Sequence, residues 1–556
     1  MNTNGRSSRR IFTAQAGVLV AGLCAGGRFA FAADATPEYV TASTATGKVR
    51  GSLVDGVRVF KGIPYGASTA GNNRFMPPVK PVAWTGTRDA LAWGASAPQT
   101  VPPLTSRQVA ESEDCLVLNV FTPGLDDRRR PVMVWLHGGG WANGSGSGAT
   151  TVGANLAQAQ DVVVVSINHR LNVFGFTSLT ETMGSDFAAA GAVGLLDIVA
   201  ALQWVRDNIE RFGGDARQVT IFGQSGGGRK VATLMSMPAA RGLFHRGIVE
   251  SGAVLRLTQP EDGQRQAALL LEELGLKRGQ IRELQQVPIG QLLQANDRAS
   301  ARWTVREPGF APNTPMVDGK YLPGHPWDPK GPALSADIPL MIGWARTEES
   351  NWERPTPENL ALDEAGMRKR VDDRINALSN EYKGGKVLLS GRRPDPLDPG
   401  PLIAAYRREY PDASPYLLHL LIASDHPRGA YTRELARRKA EQGRAPAFLY
   451  RFDWETPEGG GMLSPHAVEI PFVFRNIAVA GKLISQRQDA YALSDRIAAT
   501  WAAFARHGDP NTPQMPKWPA YSVARRDTML FNNESRVVQD PAPAARAAME
   551  KVLKLA

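Results

Sequence analysis

Apolar residues gather in short runs along this chain. Val132-Met133-Val134-Trp135-Leu136, Val162-Val163-Val164-Val165 and Val219-Thr220-Ile221-Phe222 are rich in β-branched residues and almost unbroken by polar positions. A strand with one wet face alternates; strands buried on both faces do not, and a parallel sheet covered by helices is their usual setting. Between two such runs, Ile198-Val199-Ala200-Ala201-Leu202-Gln203-Trp204-Val205 places large apolar residues three and four apart, as a helix packed on a sheet does. These strand and helix signals predict the α/β class, a mostly parallel central sheet flanked by helices.

Two of the predicted strands run directly into glycine-rich turns. In Phe222-Gly223-Gln224-Ser225-Gly226-Gly227 a serine stands between glycines at the end of an apolar run, the pattern of a nucleophile elbow. A serine hydroxyl is a poor nucleophile at its own pKa, so it needs a base within reach and an N–H facing the carbonyl oxygen under attack. Glycines at 223 and 227 permit the sharp strand-to-helix turn because they carry no Cβ. In a chain with 55 glycines such a match is weak alone. Its weight rises with the second turn, His137-Gly138-Gly139-Gly140-Trp141, which follows the run ending at Leu136 and has the make-up of a loop that lends N–H groups to an oxyanion.

Two longer stretches, EDCLVLNV from Glu113 to Val120 and FGGDARQVTIFGQSGG from Phe212 to Gly227, resemble the type-B carboxylesterase family, which includes bacterial para-nitrobenzyl esterases and animal cholinesterases. FKGIPYG from Phe60, NHRLNVFGF from Asn168, GLFHRGIVESG from Gly242 and HAVEIPFVF from His466 are similar to it as well. The resemblance runs from about residue 40 to about 535 and is poorest between about Asn351 and Pro446. It implies an α/β-hydrolase fold with catalytic residues in the chain order serine, acid, histidine. By position the serine is Ser225, and the oxyanion donors are the N–H groups of Gly139, Gly140 and Gly226. His466 matches the family's catalytic histidine, after Gly459-Gly460-Gly461 and before Glu469-Ile470-Pro471-Phe472; the other histidines lack that setting.

The family places its acid after a strand that ends in glycine. Counting from Gly343 in Pro339-Leu340-Met341-Ile342-Gly343 selects Glu348, and a shift of one residue in register would select Glu349. The glutamate left over is expected to be a solvated loop carboxylate. Gly226 stands where the family usually has alanine, which keeps the N–H and is expected to loosen the turn. Gln224, where many relatives have glutamate, removes a negative charge beside the nucleophile. Trp141 and Trp344, next to the oxyanion turn and the acid, are candidates either for the walls of a pocket for bulky acyl or aromatic groups or for core packing.

At the N-terminus, Ser8-Arg9-Arg10-Ile11-Phe12-Thr13, the moderately apolar stretch from Ala14 to Ala25 and then Ala30-Phe31-Ala32 read as a twin-arginine export signal over residues 1–32. Residues 33–556 read as a single domain. Losing the signal removes four arginines and no acid, so the formal charge drops from +10 to +6. The arginine runs Arg128-Arg129-Arg130, Arg392-Arg393 and Arg437-Arg438-Lys439 are scattered and lack interleaved aromatics, which argues for solvated surface and against nucleic acid or membrane. Leu23 precedes Cys24, where a lipoprotein site needs a small residue, so no stable membrane anchor is expected. Cys115 is then the sole cysteine, and Ala97 holds the position at which many relatives keep its disulfide partner. No cluster has metal-ligand spacing, and the chemistry calls for no cofactor.

The expectation is an exported serine carboxylesterase, periplasmic or extracellular, that hydrolyses small-molecule carboxylic esters to acid and alcohol through an acyl-enzyme. Ser225 attacks, His466 carries the proton and Glu348 orients His466. An ordinary imidazole would make activity climb through about pH 6 to 7. The alternatives are a hydrolase of another acyl bond (amide, carbamate or polycarboxylic toxin ester) and a non-catalytic binding protein of the same fold. Choline esters are not expected: cholinesterases carry an aromatic residue for the quaternary ammonium in the loop matching Val101 to Asp114, which here has no Phe, Tyr or Trp. The segment from Leu360 to Pro415, charged and then rich in glycine and proline, reads as helices and loops that either roof the active site or form a surface insertion.

Overall fold

The apolar runs become strands in the middle of one sheet. In chain order the strands are β1 (Tyr39–Thr44), β2 (Gly47–Val54), β3 (Val57–Pro64), β4 (Thr87–Asp89), β5 (Val117–Thr122), β6 (Arg130–Leu136), β7 (Val163–Ile167), β8 (Gly214–Gln224), β9 (Arg246–Glu250), β10 (Leu340–Ala345), β11 (Ala377–Lys383), β12 (Lys386–Arg392), β13 (Ala447–Phe452), β14 (Asp527–Phe531) and β15 (Arg536–Gln539). The computed structural model describes residues 38–100, 109–303, 312–383, 386–456, 463–484 and 487–555. The expected signal segment, residues 1–32, lies outside the described residues, as do residues 101–108 of the aromatic-free loop and the glycines at 459–461. From Glu38 onward the chain is one compact unit.

The large sheet has 13 strands in the order β1-β2-β3-β5-β7-β6-β8-β9-β10-β13-β14-β15, with β4 beside β2. Neighbours from β7 to β14 are parallel, and the outer pairs are antiparallel, apart from the parallel β2–β4 contact. Because successive side chains point to opposite faces, each central strand feeds two cores. Val132, Val134, Leu136 and Ile221 join Leu195, Ile198 and Leu202 of the helix Val193–Asn208. Met133, Trp135 and Phe222 join Ile497, Trp501 and Phe504 of the helix Gln488–His507 on the other side. Each fully buried side chain of this size contributes about 1.5–3 kcal/mol relative to exposure, so strands without polar breaks settle in the sheet centre. The stretch 185–212, long and apolar enough by composition to cross a bilayer, is part of the first core, with 78% of its most apolar window buried.

The segment from Leu360 to Pro415 contains a hairpin as well as the helices expected there. Between the helices Glu364–Asn376 and Gly400–Glu409, β11 and β12 pair antiparallel across residues 384–385. The signal was local: a Gly-Gly pair between two strand-like runs is a sequence signal for a hairpin. The helices share their own apolar cluster, including Met367, Val371 and Leu402, with Ile422 of the helix Pro415–Ser424 and Met549 of the last helix. This cluster reaches the loop after β10, where Arg374 pairs with Glu349 at 2.7 Å.

Candidate active site

Strand β8 ends at Gln224 and a helix begins at Gly226, so the whole change of direction falls on Ser225, at φ 58° and ψ −120°. A non-glycine residue held there stores about 1–3 kcal/mol of strain, and the surroundings hold it in place. The Ser225 N–H donates to Glu250 O at 2.8 Å. A Cβ at Gly223 would lie 2.5 Å from Leu136 O, and one at Gly227 2.0 Å from the same atom, so only glycine lets the turn lie this close to β6.

The turn after β6 faces this elbow. Gly139 and Gly140 take φ of 86° and 64°. Every carbonyl from His137 to Gly140 is occupied. His137 O and Gly140 O each accept from the Lys230 ammonium at 3.0 Å, Gly138 O accepts from His137 Nδ1 at 2.9 Å, and Gly139 O accepts from the N–H groups of Ala142 and Asn143. The N–H groups of Gly139, Gly140 and Gly226 have no hydrogen-bond partner among the described residues. Gly226 does not loosen this arrangement. A Cβ there would lie 2.2 Å from Gly140 O and 2.4 Å from Gly140 N, so the turn occupies the space that an alanine methyl would fill.

Glu348 and His466 meet, and Glu349 does not take part. Glu348 is fully buried just past β10; its Oε1 accepts from Ala345 N–H at 2.8 Å and its Oε2 accepts a short hydrogen bond from His466 Nδ1. With Nδ1 donating, Nε2 is the ring's acceptor. Glu349 is also fully buried, which corrects the solvated carboxylate expected: it pairs with Arg374 at 2.7 Å and with Arg428 at 3.2 Å. Arg374 comes from the helix Glu364–Asn376 and Arg428 from the turn Asp425–Gly429, contacts that no local pattern encodes. Ser225 Oγ makes no hydrogen bond among the described residues, and the Gln224 amide lies 3.3 Å from both ring nitrogens of His466. Free enzymes often tighten the serine–histidine contact only when substrate arrives.

Burial pushes the His466 imidazole below its ordinary range, Glu348 pulls it back, and the Arg428 guanidinium adds to the lowering, with a net shift down. Burial pushes Glu348 up, but His466 and Arg428 outweigh it and keep it below the usual glutamate range. Two further acids lie close by. Burial pushes Glu250 up to about 7, moderated by the indole N–H of Trp501 at 2.8 Å. Burial and then the carboxylates of Glu250 and Glu348 raise Glu469 well above its ordinary value.

The two tryptophans expected as candidates for pocket walls are core residues. Trp141 is 5% exposed and meets Phe176 edge-on, and Trp344 is 4% exposed with the Arg433 guanidinium over its ring. The aromatic that the sequence did not single out is Trp352, half-buried, whose ring centroid lies 5.0 Å from that of His466 and carries Arg428 on it. Its signal was its place four residues after Glu348. Other histidines do structural work: His245 Nδ1 accepts from Val219 N–H, and His419 Nε2 binds Glu353 at 2.7 Å. Among the described residues no group of three or more His, Cys, Asp or Glu is placed to hold a metal ion.

Comparison with known proteins identifies the family of this fold. The model of the carboxylesterase family matches residues 38–549. The para-nitrobenzyl esterase of Bacillus subtilis (strain 168) is 34% identical over 515 residues, covering 91% of this chain and 97% of that one. Phenmedipham hydrolase of Pseudarthrobacter oxydans is 31% identical over 513 residues, covering 89% and 96%. Among solved structures, a carboxylesterase of Geobacillus stearothermophilus matches with a TM-score of 0.77 at 35% identity, covering 92% of this chain and 99% of that one. A likeness that runs the length of the described fold leaves one conclusion: the chain belongs to the carboxylesterase family, with its α/β-hydrolase fold, and is a carboxylic-ester hydrolase.

Proposed function

We propose that ester hydrolysis proceeds through an acyl-enzyme on Ser225, with His466 as general base and then general acid, and Glu348 as the group that orients it. The observation that carries this reading is the strained Ser225 elbow, flanked by the free N–H groups of Gly139, Gly140 and Gly226, in a fold where Glu348 holds His466 by Nδ1. Ser225 Oγ adds to the ester carbonyl as its proton passes to His466 Nε2, and the charge on the former carbonyl oxygen falls to the three N–H groups. Collapse expels the alcohol with that proton; water, activated by the same nitrogen, then releases the acid. The ionised Glu348 stabilises the imidazolium in both halves.

The substrate is a small-molecule carboxylic ester. Trp352 beside His466 supports esters with a flat apolar group near the reacting carbonyl. The test is a series of para-nitrophenyl esters from acetate to dodecanoate, given to the protein beginning at Ala33 and to its Ser225→Ala variant. A burst of nitrophenol followed by turnover, lost by about 10⁴-fold or more in the variant, is the expected result; turnover that survives Ser225→Ala sinks the acyl-enzyme. Export rests on the Arg9-Arg10 segment. Residues 1–32 fused to a folded reporter should carry it out of the cytoplasm, and Arg9→Lys with Arg10→Lys should retain it; equal export of both fusions refutes the twin-arginine route.

A further inference from the structure

Beneath the oxyanion turn lies a charge with no role in the proton transfers above. Lys230 sits on the helix Gly226–Leu234, about one and a half turns beyond Ser225, and is fully buried. Its ammonium donates to His137 O and Gly140 O at 3.0 Å each, the two ends of the glycine turn, and lies 5.6 Å from the centre of the Trp141 ring. No carboxylate pairs with it among the described residues. The titratable groups that face it are Arg229 on its own helix, His137 in the turn and His169 after β7. The two imidazoles stack at 4.8 Å, and neither Nε2 has a partner among the described residues. Burial, and then the charge of Lys230, pushes His137 down to about 3 and His169 well below its ordinary range, so both are neutral at pH 7.

A buried ammonium without a counter-ion is costly unless fixed dipoles replace its water. Two carbonyls and a ring face do part of this, and their identity is informative. They belong to the turn that carries the N–H groups of Gly139 and Gly140, which have no partner among the described residues, and the helix carrying Lys230 supplies the third N–H, that of Gly226. The contact of Gly140 with Gly226 is close enough to exclude a methyl group, so the strap and the close approach act on the same pair of backbones.

We propose that Lys230 is a positioning residue for the oxyanion site: its ammonium ties both ends of the His137–Gly140 turn to the nucleophile helix, holds the three N–H groups in one constellation, and sets a positive charge behind the developing oxyanion. This rests on the Ser225 acyl-enzyme. Before reaction the charge is uncompensated; when the carbonyl oxygen takes up its electron pair, the charge gains a partner, which is stabilisation specific to the transition state.

The test is Lys230→Met, similar in length without charge, with Lys230→Gln as an uncharged donor. Measured quantities are kcat and KM for para-nitrophenyl acetate, the inhibition constant of an alkyl trifluoromethyl ketone, and the melting temperature. The ketone accepts Ser225 Oγ at its carbonyl carbon, the π pair moves to oxygen and the proton to His466, so it reports on the tetrahedral oxyanion directly. In Lys230→Met, kcat should fall about 10- to 100-fold with KM within about threefold. The ketone should weaken by the same factor as kcat/KM, and Lys230→Gln should lie between. Burial, followed by the nearby Arg229, pushes the Lys230 amine down to about 7, so wild-type kcat should decline on the alkaline side and the decline should vanish in Lys230→Met. A folded Lys230→Met with kcat, ketone affinity and pH profile within about twofold of wild type overturns the proposal; should that variant not fold, Lys230→Gln is judged by the same criterion. Turnover that survives Ser225→Ala removes the acyl-enzyme and this inference with it, whereas Ser225-dependent turnover that is indifferent to Lys230 removes this inference alone.

Discussion

Replacing Gly226 by alanine adds one methyl group at the closest approach between the nucleophile helix and the oxyanion turn. That methyl would start 2.2 Å from Gly140 O, 2.4 Å from Gly140 N and 2.6 Å from Gly140 Cα, whereas ordinary contacts begin at 3.4 Å, so the turn must retreat by about 1.2 Å. All three atoms are backbone, so no rotamer change relieves the clash, and the Lys230 ammonium holds Gly140 O at 3.0 Å. A displacement of about 1 Å in a positioned catalytic group costs on the order of 100-fold in rate, or about 2.7 kcal/mol of transition-state stabilisation. Steady-state kinetics with para-nitrophenyl acetate should therefore show Gly226→Ala losing about 100-fold in kcat with KM changed by less than about threefold. Combined with Lys230→Met the losses should be less than multiplicative, because both variants release the same turn. A folded Gly226→Ala enzyme with kcat within about threefold of wild type would refute the close fit and the reasoning built on it.

Glu348→Gln removes the acceptor that holds the His466 tautomer and should lower kcat by about 10⁴-fold with the fold intact. Glu349→Gln removes the buried carboxylate that Arg374 and Arg428 share and should cost about 3–5 kcal/mol in denaturant unfolding while retaining most of the turnover; the reverse pattern would assign the orienting role to Glu349. His466 works as the neutral base and its pKa is lowered in the fold, so the acid limb of kcat/KM should have its midpoint below the ordinary 6.5, and Arg428→Met should move it upward; a limb at or above 6.5 in the wild type contradicts the electrostatics. Trp352→Ala should reduce the preference for phenyl over alkyl esters several-fold, read as the ratio of kcat/KM values; an unchanged ratio excludes Trp352 from the substrate site.

What was legible beforehand was local. Ser225 and the glycine turn could be read because each lies in one contiguous stretch where an apolar strand breaks into glycines, and the β8 elbow conformation follows from that order of residues. His466 was recognisable by its neighbours. The sequence left two adjacent glutamates open for the acid, and what distinguishes them in the fold is the contact across 118 positions between Glu348 and His466. Trp141 and Trp344 show the same limit from the other side: their packing in the core against Phe176 and Arg433 is set by residues from elsewhere in the chain.

By itself, then, the chain's pattern of apolar runs and glycines determined the parallel sheet, the sharp elbow at Ser225 and the turn that faces it, since periodicity and backbone freedom act over a few neighbouring residues. Tertiary structure alone decided the burial of Glu349 between Arg374 and Arg428, the placing of Trp352 on His466, the closure of Gly140 onto Gly226 and the seating of Lys230 beneath the turn. Periodicity says which face of an element leaves water; which partner waits there depends on groups distant in the chain brought within a few ångströms, and charge, desolvation and close contact all act at that range.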